Sequence, residues 1–106
     1  MSLHPETRFV VTIHFKGSAG CASAVLRERS DLAAAIQAAA TRHHLLQATR
    51  LVGDDQFLEI DEWRREEDRD AFVKDAGGEL AEWARLAGMT KMDTHLWRPS
   101  RDGEHA

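Results

Sequence analysis

The chain of 106 residues holds one cysteine, two prolines, no tyrosine and no asparagine. With Cys21 alone no internal disulfide can form, and a reducing cytoplasm is the natural compartment for such a sequence. No apolar run approaches the roughly 20 residues a membrane-spanning helix needs. The opening residues Met-Ser-Leu-His-Pro-Glu carry neither the basic start nor the apolar region of a signal peptide. Basic residues are not in excess: 14 Lys and Arg stand against 18 Asp and Glu, a formal net charge of −4. That balance gives no electrostatic footprint for nucleic acid, and no basic amphipathic stretch suits a membrane surface. Without tyrosine or asparagine, no phenol and no Asn amide can take part in any chemistry here.

What is present describes one globular domain over residues 1–106, with 1–7 and 99–106 as flexible tails. The 42% hydrophobic and 30% charged fractions fit a soluble protein with a single modest core. Residues 8–16 alternate as a strand, with Phe9, Val11, Ile13 and Phe15 on one face and Val10, Thr12, His14 and Lys16 on the other. Gly17, Ser18 and Gly20 stop it. From Cys21 to Thr41 the spacing turns helical, with a break expected near Ser30 and Cys21 as a small packing residue at the start. Residues 45–52 and 56–63 flank Gly53-Asp54-Asp55, a hairpin signal. A short helix over 66–75 ends at Gly77-Gly78. A second covers 79–87, with Leu80, Trp83, Ala84 and Ala87 as a stripe closed by Gly88. Residues 90–98 give a last strand, stopped by Pro99.

The order β-α-β-β-α-β is the ferredoxin-like, α+β arrangement: a four-stranded antiparallel sheet with helices on one face. Crossover handedness and the hairpin put the first strand at the centre, beside the third and fourth. Phe9, Val11, Ile13, Phe15, Leu58, Ile60, Met92 and Leu96 are expected under the helices. The other face would carry Thr12, His14, Phe57, Glu59, Asp61, Trp63, Asp93, His95 and Trp97. Such an aromatic face needs a cover. A homodimer that stacks two sheets face to face supplies one.

The stretch Phe57-Leu-Glu-Ile-Asp-Glu-Trp63 is the most specific in the chain. It leads into Arg64-Arg65-Glu66-Glu67-Asp68 and the apolar step Ala71-Phe72-Val73. This passage resembles the second half of the dimeric α+β barrel domains, above all the antibiotic biosynthesis monooxygenase family. The resemblance spans about residues 8–98 and implies a cofactor-independent monooxygenase acting on an aromatic, polyketide-like small molecule. The same fold also serves non-catalytic dimeric modules that bind small ligands or drive assembly. By the resemblance Trp63 holds the catalytic position, stacking on a flat substrate or donating its indole N–H to a keto oxygen; alternatively it is a framework residue. The amide and phenol groups that some relatives use are absent, so Glu59, His14 or His95 would take their place. The haem-degrading branch places a histidine on the helix after this strand. None occurs between Trp63 and Met92, so neither haem nor any other cofactor is expected.

Alternation on the expected faces gathers His14, Glu59, Asp61 and His95. Such a set can act as a His–carboxylate general base, hold a transition metal, or form a structural hydrogen bond lining the barrel. No metal is expected, because the set is assembled from three strands and a one-residue slip would scatter it. Asp61, Phe72 and Trp83 are the expected substrate-binding residues, Phe72 and Trp83 lining any cavity between helices and sheet. His43-His44 reads as a solvated connection. The charge run Arg64–Asp70 reads as a solvated helix face.

Overall fold

The computed structural model describes residues 2–89 and 91–100, Lys91 by its backbone only. The elements run β1 (Phe9–Lys16), α1 (Ala19–Glu28), α2 (Ser30–Arg42), β2 (Leu45–Gly53), β3 (Gln56–Trp63), α3 (Glu66–Ala87) and β4 (Lys91–Trp97). The strands form one antiparallel sheet of order β2-β3-β1-β4, with β1 central as expected. Two buried clusters fill the space between sheet and helices. One holds Phe9, Val11, Ala39, Ala40, Trp63, Phe72 and Ala76; the other holds Phe15, Ala22, Phe57, Trp83 and Ala87.

Local chemistry sets the helix boundaries. Ser18 Oγ accepts the Cys21 N–H at 3.2 Å and caps α1. The expected break falls at Arg29, which leaves helical geometry at φ −107° and ψ 74°. Its guanidinium reaches forward to Asp31 in the first turn of α2 at 2.8 Å. Cys21 is exposed, so it does not pack as expected; its neighbour Ala22 takes the buried position. Gly77-Gly78 does not interrupt α3, which runs unbroken for 22 residues. Glycine costs a helix interior about 1 kcal/mol. The buried positions Phe72, Ala76, Trp83 and Ala87, on both sides of the pair, offset that cost. Gly88 then ends the helix in the left-handed region at φ 70°, donating to the carbonyls of Ala84 and Arg85. The hairpin loop is Asp54-Asp55 alone, Gly53 being the last residue of β2.

The register corrects the assignment of faces on β3. Residues directly opposite in an antiparallel pair share a face. Phe9 faces Trp63, Val11 faces Asp61, Ile13 faces Glu59 and Phe15 faces Phe57. Phe57, Glu59, Asp61 and Trp63 therefore look toward the helices, while Leu58 and Ile60 lie on the open face. The expected split was off by one residue. β3 misleads because it is apolar on both faces: aliphatic at 58 and 60, aromatic at 57 and 63. The faces of β4 are as expected, Leu96 opposite Val11 and Met92 opposite Phe15. Both are nevertheless exposed, at 46% and 60%, because β4 is an edge strand and the helices pack toward β2 and β3.

The N-terminal segment is docked rather than free. Thr7 is buried, and Glu62 at the end of β3 accepts the His4 N–H at 2.7 Å and the Thr7 hydroxyl at 3.0 Å. Of the C-terminal tail expected over 99–106, residues 101–106 lie outside the described residues.

Candidate active site

Strand alternation lines up Phe57, Glu59, Asp61 and Trp63 on the helix-facing side of β3. Arg50 joins them from β2, where it stands opposite Glu59 and forms an ion pair with it. The same guanidinium donates to Ser23 Oγ at 3.2 Å and lies 4.9 Å from the Phe57 ring centre and 5.9 Å from that of Trp83. Glu59 thus pairs with a cation that also lies against two aromatic rings. Sequence reasoning missed Arg50. Its signal was a lone cation between Ala48 and Val52 on one face of the strand.

Asp61 sits between Val11 and Ala48 across the sheet, with Glu59 and Trp63 on either side along its own strand. Among the described residues no hydrogen-bond donor reaches its carboxylate. Burial, and then the negative charge of Glu59, push its pKa up from the ordinary 3.8 to about 7; Arg50 and Arg69 oppose the shift. Two carboxylates on one strand face thus have different characters. Glu59 is neutralised by Arg50, and Asp61 changes protonation near neutral pH.

Trp63 is 1% exposed and packs on Phe72, ring centres 5.1 Å apart. Its Nε1 is buried with no hydrogen-bond partner. A buried donor left unpaired costs about 1–3 kcal/mol. The Trp83 indole, by contrast, donates to the Ala22 carbonyl at 2.8 Å and meets Phe15 edge-on at 6.3 Å. Trp83 therefore ties α3 to α1, and its N–H is not free for a ligand. Phe72 and Trp83 are both buried in the core between the helices and β3, while Asp61 and Glu59 keep partial exposure.

His14 and His95 lie across the sheet from Glu59 and Asp61. His14 bonds to Gln56 Oε1 at 2.7 Å on the open face, and His95 is exposed beside Trp97, ring centres 6.2 Å apart. The expected quartet therefore divides into a carboxylate pair and a histidine pair with the sheet between them. Among the described residues no group of three or more His, Cys, Asp or Glu could hold a metal ion. His43 is not simply solvated: its Nε2 meets Asp75 at 2.9 Å, and Arg42 pairs with the same carboxylate. Glu62, also missed, is fully buried and accepts from Gln47 Nε2 at 2.7 Å besides the N-terminal segment. Among the described residues, one surface depression is lined by Arg8, Arg98, Pro99 and Ser100, and another by His14, Leu51, Gln56 and Leu58 among others; Asp61 lines neither.

The ferredoxin-like α+β fold that presents this strand face is also the fold of a monooxygenase and of a cofactor-independent oxygenase. No protein-family model and no curated protein sequence matches the chain. Among solved structures it is similar to a monooxygenase from the gene ActVA-Orf6 of Streptomyces coelicolor, in complex with nanaomycin D. The two are 22% identical over 92% of this chain and 91% of that one, TM-score 0.66. It is also similar to SnoaB, a cofactor-independent oxygenase from Streptomyces nogalater, at 15% identity over 92% and 98% of the chains, TM-score 0.61. A dimeric ferredoxin-like protein from an uncultured marine organism aligns at 13% identity over 91% and 98%, TM-score 0.60. At these identities the likeness is one of fold.

Proposed function

We propose that the protein is a cofactor-independent monooxygenase acting on an aromatic, polyketide-like small molecule, and that it works as a homodimer. The observation that carries this reading is the unpartnered indole N–H of Trp63, on the same strand face as Asp61 and Glu59. A flat ligand with a keto or phenolate oxygen satisfies that donor, and the N–H stabilises charge developing on the oxygen. The substrate supplies the electrons: loss of a proton gives a resonance-stabilised carbanion, which reduces O2. A methylene becomes a carbonyl, and the second oxygen atom leaves as water. His14 and His95 lie across the sheet and stay out of this chemistry.

The open face of the sheet supports the dimer. Val10, Leu51, Leu58, Ile60 and Trp97 share it by register, Leu51 and Trp97 about half exposed. Among the described residues no helix is long and apolar enough to cross a membrane. The exposed thiol of Cys21 suits a reducing compartment. A second reading, a non-catalytic dimeric ligand-binding or assembly module, draws on the closed aromatic packing over β3. Oxygen uptake with an anthrone separates the two. Monooxygenase activity gives uptake and quinone formation above autoxidation, surviving chelator and dialysis. Uptake no faster than autoxidation supports the module.

A further inference from the structure

We infer that Asp61 is the proton acceptor of this site, the group that turns a bound fused-ring phenol or anthrone-type carbon acid into its anion. The inference rests on the functional reading above and assigns Asp61 a catalytic rather than a binding role. Geometry eliminates the other candidates. Glu59 is engaged by Arg50, which also holds Ser23. The two histidines lie on the opposite face of the sheet, and Glu62, on that face too, is saturated by three donors. Asp61 alone combines the helix-facing side, partial solvent access and a carboxylate that no donor occupies.

Its neighbours suit the task. Asp61 and Trp63 are alternate residues of one strand, so their side chains emerge about 7 Å apart. One ligand meets both when its acidic position and its keto oxygen lie on opposite sides of a ring. An anthrone has that layout, its methylene across the central ring from its carbonyl. In the step, the substrate C–H or O–H bond breaks and its electron pair stays on the substrate. A new Oδ–H bond forms on Asp61, while the Trp63 N–H takes the oxygen onto which the charge spreads. The charged groups acting on Asp61 are Glu59 beside it, Arg50 from β2 and Arg69 from α3. Burial and the Glu59 charge make the carboxylate a stronger base than a free one, matched to work near neutral pH.

The test separates proton transfer from oxygenation. Anthrone is incubated with the protein in D2O without oxygen, and exchange of its methylene protons is followed by NMR. The wild-type chain should accelerate exchange above the buffer rate, with an acid limb near pH 7, the value to which Asp61 is shifted. Asp61→Asn, with circular dichroism confirming its fold, should lose about 10²–10⁴-fold of that rate, change KM little and lose the limb. Asp61→Glu, which restores a carboxylate, should recover part of the rate together with a limb. Wild-type exchange at the buffer rate, or an Asp61→Asn variant with unchanged exchange and limb, overturns the inference. Exchange that depends on Asp61 without oxygen uptake retains Asp61 as the base and removes the monooxygenase reading.

Discussion

At the scale of single residues, two side chains of β3 make opposite demands. The Trp63 N–H is buried without a partner, so the residue carries a cost that packing alone does not explain. Trp63→Phe removes that donor along with some volume. The lost volume costs about 1–2 kcal/mol, and relief of the unpaired donor returns a similar amount. We expect the melting temperature to move by only a few degrees, while kcat falls about 10²-fold with little change in KM. Calorimetry and oxygen uptake on the same preparation check this; a large melting shift with unchanged kcat would make Trp63 a framework residue. For Asp61 the folded-state pKa of about 7 lies above the ordinary 3.8. The folded chain binds the proton more tightly, so stability falls as pH rises. The penalty is absent below 3.8, where both states are protonated, grows up to about 7 and is constant above. Asp61→Asn escapes it. Its gain over wild type should be small near pH 4 and on the order of 2 kcal/mol near pH 8, allowing for solvent screening. Thermal melts at the two pH values decide the matter; equal gains would show a carboxyl without the shift.

Among the elements, α3 shows how context overrides propensity. A Gly-Gly pair in mid-sequence reads as a stop, yet the helix passes through it because the buried stripe continues on either side. A Cβ added at Gly78 meets nothing within 4 Å, and the position is exposed. Gly78→Ala should therefore stabilise the fold by about 0.5–1 kcal/mol, by lowering the entropy of the unfolded chain and raising helix propensity. A urea titration should show a higher midpoint at unchanged slope. A loss of stability would mean that the glycine serves close approach of another chain or bending of α3. β3 presents the opposite case. Its alternation is clean, but alternation gives no sign of which face is inward when both carry large apolar groups.

The whole molecule leaves one sheet face uncovered. Trp97 stands on it 54% exposed, its indole N–H bonded to Thr12 Oγ1 at 2.8 Å. A second copy laid across this face would bury more than about 2,000 Å² in total, the obligate range. Light scattering should return twice 11.9 kDa at micromolar concentration. Trp97→Asp places a charge in that contact and should give folded monomer by sedimentation, with its circular dichroism unchanged. An intact dimer in that variant would place the interface elsewhere.

The sequence by itself determined the order of the elements, the central position of β1, the break before Ser30 and the stop at Gly88. Each follows from contacts between near neighbours: periodicity, capping and turn chemistry. The core position of Trp83 on the apolar stripe of the last helix was legible too, because a large aromatic in a small domain has few places to go. Tertiary structure alone decided which way β3 faces, and that choice separated Glu59 and Asp61 from His14 and His95. It also decided that Arg50 neutralises Glu59, that Glu62 anchors the N-terminal segment, and that Asp61 is left without a donor. These depend on cross-strand register between residues far apart in the chain, and a one-residue slip leaves the sequence pattern unchanged while exchanging every side chain between the faces.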